Sequence, residues 1–300
     1  MIARVFPTRT NATPDDYHAY YGLPPWFATD YDEVHISVLF DWDKRNADIL
    51  AENWRSVAPV KMGGPAYGDR GGDFIPGQYV KKGYVITSRG CPNKCWFCSV
   101  WKREGELREL PITDGWNVLD DNLLACSDEH IKGVFSMLKK QKHPIEFTGG
   151  LEAKRLKPWH VEEFTKIKPK QMFFAYDTPD DYEPLVAASK MLFDAGIIKR
   201  SSHAARCFVL IGWKKDTIEN AEKRLMETLS LGFFPMAMLY RDGKEPSTEW
   251  KRFQREWVRP AIIANKASPS FPDRSPGPPS QDAPGSKVPG VRSIDSSNSR

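Results

Sequence analysis

The chain has 300 residues, 40% of them hydrophobic and 12% aromatic, with a net charge of +4 and five cysteines. That length and apolar content fit one large domain, or one domain with an appendage, and exclude a disordered scaffold. The Lys and Arg excess is dispersed over predicted helices, so nucleic acid is not indicated as a partner. The apolar runs are too short for a membrane span, there is no signal-peptide pattern, and free thiols fit a reducing, cytoplasmic compartment.

Residues 1–80 read as a short leader region. Val34 to Phe40 is a predicted buried strand, and Asp43 to Ser56 carries Ala47, Leu50, Ala51 and Trp54 at helical spacing. Val57 to Met62 reads as a second strand, closed by Gly63-Gly64-Pro65, so one βαβ unit is expected. From residue 81 to 245, strand and helix alternate. Tyr84 to Ser88 is a strand that runs into Arg89-Gly90-Cys91-Pro92-Asn93-Lys94-Cys95-Trp96-Phe97-Cys98. Trp116 to Asp120 is the second strand, ending at Asp120-Asp121-Asn122, and a helix follows from Asp128 to Gln141 with Ser127 or Asp128 as its N-cap. Ile145 to Thr148 ends in Gly149-Gly150, and Pro158 to Lys168 is helical. Gln171 to Tyr176 ends at Asp177, and the helix from Asp181 to Ala195 stops at Gly196. Arg206 to Ile211 ends at Gly212, the helix from Asp216 to Leu231 stops at Gly232, and Phe233 to Tyr240 is the sixth strand. Ser247 to Ala264 reads as one closing helix packing through Trp250, Phe253, Trp257 and Val258. Residues 267–300, rich in Pro, Gly and Ser, are expected to be a disordered tail or linker.

Six short apolar strands separated by helices imply a parallel sheet, with functional groups at the C-terminal strand ends. The most specific signal lies at the first such end. Cys91, Cys95 and Cys98 follow the spacing C-x3-C-x2-C and offer three thiolates to a metal centre within eight residues. An iron–sulfur cluster held by three thiolates keeps one iron open to a small molecule, whereas electron-carrying clusters are usually closed by four cysteines. A structural zinc site would want a second knuckle or added histidines.

This loop resembles the cluster-binding segment of the radical S-adenosylmethionine (SAM) enzymes, and the resemblance covers roughly residues 80–245. It implies an α/β fold: a partial (β/α)6 radical SAM barrel over residues 81–245, with a small N-terminal βαβ appendage (1–80), a closing helix (246–266) and the tail (267–300). It implies Cys91, Cys95 and Cys98 as ligands of a [4Fe–4S] cluster whose open iron is chelated by SAM. A reduced cluster then cleaves SAM to methionine and a 5′-deoxyadenosyl radical, which acts on an unidentified substrate. An electron donor such as flavodoxin or ferredoxin would be a partner. Phe97 matches the family's aromatic near the adenine. Asp121 and Asn122 are the candidates for SAM contacts, with an Asx turn as the plain alternative. Gly149-Gly150-Leu151-Glu152 resembles the family's Gly-Gly-Glu text but follows the third strand, not the second. Either the Asn117 strand lies outside the barrel and the glycines meet the SAM amino group, or Gly149, Gly150 and Glu152 line the substrate side. Asp177 fits ribose hydroxyls, substrate or a helix cap, and Gly212 fits an adenine-side turn or a plain strand end.

The leader resembles part of the Rossmann-like domain of cobalamin-dependent members. The family's D-x-H-x-x-G text is matched only by Asp16 to Gly22, one residue too long and upstream of the strand. His18 therefore reads as a packing histidine, and cobalamin is not expected. Cys126 and Cys207 read as buried structural thiols. Arg103 and Glu104 either reach the site or form an exposed ion pair, and Trp96, Phe97 and Trp101 either wall the site or join the core. A non-catalytic iron–sulfur electron carrier or a zinc-binding interaction protein is the alternative function.

Overall fold

The computed structural model describes residues 1–199, 204–241, 243 and 245–266, so the tail expected over 267–300 lies outside the described residues. The chain is a mixed α/β protein built on two parallel sheets. In chain order the first contains β1 (Ile2–Val5), β2 (Ala19–Tyr20), β3 (Glu33–Ser37), helix α1 (Lys44–Trp54) and β4 (Val60–Gly63), with strand order β2-β1-β3-β4. The predicted βαβ unit is therefore present as β3-α1-β4, with β3 ending three residues earlier than expected. The sheet is larger than that unit because β1 and β2 pair parallel beside β3. The helical spacing in α1 does what it predicts: Ala47, Leu50, Ala51 and Trp54 are all buried against Ala3, Val5, Val34 and Ile36. His18 meets the Tyr31 hydroxyl at 3.0 Å in a ring-packed corner, as expected of a packing histidine.

The second sheet begins with β5 (Tyr84–Val85). It is followed by a short antiparallel pair, β6 (Ser88–Arg89) and β7 (Arg108–Glu109), which flanks α2 (Val100–Arg103). Then come β8 (Asn117–Val118), α3 (Asp128–Leu138), β9 (Glu146–Phe147), α4 (Pro158–Ile167), β10 (Gln171–Tyr176), α5 (Tyr182–Asp194), β11 (Ala205–Ile211), α6 (Ile218–Ser230) and β12 (Phe234–Leu239). Its six strands pair parallel in the sequential order β5-β8-β9-β10-β11-β12. All six predicted strands are present in that sheet. This excludes the reading in which the Asn117 strand stands outside it.

Right-handed crossovers between sequential parallel strands put α3 to α6 on one face. That face holds the core: Ile131, Val134 and Phe135 of α3, Phe164 of α4, Leu185 and Leu192 of α5 and Leu225 of α6. Phe135, Phe147 and Phe164 interlock edge-to-face, with centroids 5.4–6.3 Å apart. Strand alternation sends Met172, Phe174 and Tyr176 into this core, while Phe173 stacks on Phe208 at 4.8 Å on the opposite face.

The closing segment departs from expectation. It is two helices, α7 (Thr248–Glu256) and α8 (Pro260–Lys266), because Pro260 has no N–H to continue the first and fits the first turn of a second. Trp257 and Phe253 are buried as expected, whereas Val258, placed on the packing face by the sequence, is 45% exposed.

Candidate functional site

Because the second sheet is parallel, the segments after its strands share one edge. The cysteine loop, Asp120 to Asn122, Gly149-Gly150, Asp177 and Gly212 follow β5, β8, β9, β10 and β11 respectively. Strand geometry alone thus gathers every sequence-predicted site residue at one end of the sheet.

The loop is held from several sides. Asp120 is 1% exposed and accepts from the Thr87 N–H (2.6 Å), the Thr87 hydroxyl (2.6 Å) and the Ser88 hydroxyl (2.8 Å). Burial pushes its carboxyl up, and these hydrogen bonds oppose the shift. Asp121 accepts from the Gly90 N–H at 2.8 Å, so one of its oxygens fastens the residue before Cys91. Beyond the cysteines, Trp101 Nε1 donates to the Cys95 carbonyl at 2.9 Å. Glu104 is not the exposed ion-pair partner that the sequence offered. It is 2% exposed and takes Arg103, Arg108 and the Gly71 N–H, which ties α2 to the segment after the first sheet.

Two of the three sulfurs receive hydrogen bonds from N–H groups: Cys98 from the Val100 amide and Cys91 from Asn122 Nδ2, each at 3.4 Å. Burial, then the neighbouring thiols and carboxylates, push the Cys95 and Cys98 thiols up. Asp177 and Asp181 act on Cys95, and Asp121 and Asp177 on Cys98. Asp121, Asp177 and Asp181 thus oppose ionisation of the loop thiols, while Arg89, Arg103 and Arg224 act in the opposite sense on Asp121 and Asp177. A bound cation reverses that balance and stabilises thiolates.

Asn122, which the sequence places among the candidate contacts, joins the cysteine loop to the segment after β9. It is 4% exposed, and its Nδ2 donates both to Cys91 and to Glu152 Oε2 (2.7 Å). Its Oδ1 is buried without a hydrogen-bond partner. Burial opposes ionisation of Glu152, but bonds from Asn122, Lys154, Asn93 and Arg155 outweigh it and hold the carboxyl below its usual range. A buried acceptor without a donor costs about 1–3 kcal/mol. The open lone pairs of Asn122, beside Cys91, fit a ligand N–H such as an ammonium.

Gly149 and Gly150 are accounted for by close packing. A Cβ on Gly149 would lie 2.2 Å from the Asp120 carbonyl, and one on Gly150 would lie 2.6 Å from that of Asp121. The Gly-Gly text and the Asp-Asp-Asn text are therefore neighbours, with the Gly150 N–H donating to the Asp120 carbonyl at 2.9 Å. Gly212 has φ +77° and packs against Leu239, while its N–H donates to Asp216.

Asp177 accepts from the Leu210 N–H at 3.2 Å. Burial and the nearby Asp181 push its carboxyl from 3.8 up to about 7. A raised carboxyl is protonated in the folded chain while already ionised in the unfolded one. Its stabilising share is therefore full below about pH 4 and is lost as pH rises through about 7. In the metal-free chain we expect the unfolding free energy from urea titrations to fall between pH 5 and 8, by up to about 3 kcal/mol. Asp177→Asn should flatten that slope, and an unchanged slope in the variant would contradict the assignment.

Cys126 and Cys207 are buried, as the sequence implied, and burial pushes the Cys126 thiol up to about 12. Among the described residues, the set of three ligand atoms lying within 4.8 Å of one another is Asp120, Cys126 and His130. Both oxygens of Asp120 are already taken there by Thr87 and Ser88. The loop cysteines do not form such a set, and a single tetrahedral zinc holds its sulfurs about 4 Å apart.

Trp96 and Phe97 are not core residues: Trp96 is 52% exposed and meets Phe97, Trp213 and Tyr240 edge-on at 5.3, 6.3 and 5.3 Å. The loop that leaves β5, at one edge of the sheet, thus reaches the strand end of β12 at the other. Among the described residues no helix is long and apolar enough to cross a membrane. A scan against models of protein families finds no match to this chain, and a search of curated proteins finds none either.

Proposed function

We propose that the chain is a radical SAM enzyme in which Cys91, Cys95 and Cys98 hold a [4Fe–4S] cluster at the mouth of a partial (β/α)6 barrel. The observation that carries this reading is the three-cysteine loop after the first of six sequentially ordered parallel strands, with the unpartnered Asn122 oxygen beside Cys91. When bound, the cluster supplies one electron for cleavage of the SAM sulfonium, giving the 5′-deoxyadenosyl radical that acts on substrate.

The chain's own groups do the positioning. Asn122 accepts from the SAM ammonium through Oδ1 while its amide steadies the Cys91 sulfur. Asp121 fixes Gly90 and with it the first ligand, and Glu152 holds Asn122 from behind. Asp177, with one oxygen on the Leu210 amide, offers the other to ligand hydroxyls. Phe97 and Trp96 cover one side of the loop, and Asp121, Asp177 and Asp181 favour a cationic ligand. The electron would come from a small donor protein such as a flavodoxin or ferredoxin.

The test is spectroscopic. After anaerobic reconstitution with iron and sulfide and then reduction, the EPR spectrum should show a [4Fe–4S] signal that changes shape when SAM is added. A signal indifferent to SAM would favour an electron carrier, and retention of zinc with no cluster would end the enzymatic reading.

A further inference from the structure

A second feature stands beside the cysteine loop. At the ends of β11 and β12 a cavity of about 480 Å³ is lined by Trp96, Trp213, Lys214, Lys215 and Tyr240. Its size falls in the range of small-molecule sites. Three aromatic rings from three distant segments converge on it, with Trp96 in contact with both Trp213 and Tyr240. The Arg224 guanidinium lies 4.3 Å from the Trp213 ring centroid and fixes that ring. Arg224 is itself held by Asp216 and the Leu210 carbonyl.

The charge at this cavity is one-sided. Lys214 and Lys215 are exposed, and among the described residues neither has an ion-pair partner. The adjacent acid, Asp216, is committed to Arg224 and to the Gly212 N–H. A half-exposed tryptophan, two further rings and two exposed ammonium groups match a ligand that is flat at one end and anionic at the other. Rings stack or pack edge-on against π-faces, and lysine supplies a point charge for phosphate or carboxylate.

We propose that this cavity is the substrate subsite, and that it takes a small molecule joining an aromatic or heteroaromatic ring to a phosphate or carboxylate. The assignment rests on the cofactor reading above, since Trp96 lies between two of the cysteines and brings the cavity to the same loop. The test is anaerobic calorimetry on the full reconstituted chain with saturating SAM. The probes are AMP and indole-3-acetate, with adenosine (ring alone) and inorganic phosphate (charge alone) as controls. One anionic ring probe should bind roughly tenfold or more tighter than either control, and which one does so separates phosphate from carboxylate.

The K214Q/K215Q variant should lose roughly tenfold of that affinity while keeping the EPR response to SAM. Equal binding of AMP and adenosine, no binding of either anionic ring probe, displacement by SAM, or unchanged affinity in the variant would each overturn the proposal. A cluster that ignores SAM while lysine-dependent binding persists would sink the cofactor reading and the substrate role, and leave a plain anion-and-ring site.

Discussion

Replacing Cys95 with alanine is expected to abolish cluster assembly, taking iron from about four per chain after reconstitution to near zero. The fold should survive. Cys95 is only partly buried, and its carbonyl, which accepts from the Cys98 N–H and from Trp101 Nε1, does not involve the sulfur. The stability change should stay within about 1 kcal/mol by urea unfolding. The same result is expected for Cys91→Ala and Cys98→Ala. Cys126→Ala is the contrasting control, because Cys126 lies in the core cluster beside Ser88 and outside the three-cysteine loop: it should keep its iron and lose about 1–2 kcal/mol of stability. Full iron in the Cys95 variant, by metal analysis and the absorbance of the reconstituted protein, would remove the loop from consideration as the cluster site.

The second large effect is expected at Asp120. Two terms oppose each other there. Burial penalises the carboxylate, so its removal returns some free energy. Against that, Asp120→Ala strands the Thr87 N–H and the Ser88 hydroxyl in a buried place and leaves the Thr87 hydroxyl only its 3.2 Å contact with His130 Nε2. Each stranded donor costs about 1–3 kcal/mol, so the loss should win, with a net destabilisation of about 3–5 kcal/mol. Asp120→Asn keeps an acceptor oxygen and should cost less, about 1–3 kcal/mol. Because Thr87 and Ser88 lead into Gly90, the alanine variant should also load iron poorly, although it touches no cysteine. A midpoint shift worth less than about 1 kcal/mol would show that these donors find other partners.

The six strands of the larger sheet were legible because each is a short apolar run, and four of them stop at Asp120, Gly149, Asp177 or Gly212, where local chemistry and chain topology agree. The strands of the smaller sheet were legible only in part. Val34 to Ser37 declares itself. Ile2–Val5 is short and carries Arg4, whose buried guanidinium is satisfied by the carbonyls of Gly77 and Gln78, more than seventy positions away. No local pattern announces such a partner. β2 has two residues and exists only through its pairing with β1.

The site divides in the same way. The cysteine spacing is a local text and can be read directly. The burial of Glu104 depends on Gly71 and Arg108, the orphan oxygen of Asn122 depends on Glu152, and the aromatic cavity depends on three distant segments. The Gly149-Gly150 text was legible as a motif, but its cause, the backbone of Asp120 and Asp121 pressed against it, was not.

The reach of Trp96 across the sheet to Trp213 and Tyr240 also matters during synthesis of the chain. A ribosome adds about 5–20 residues per second, so the thiols emerge roughly 6–30 s before the rings that flank them at the far edge. Over that interval the nascent cysteine loop is uncovered on that side, open to dioxygen and to stray metal ions. For the cluster proposed above, delivery of iron and sulfide is best timed after β12 has emerged.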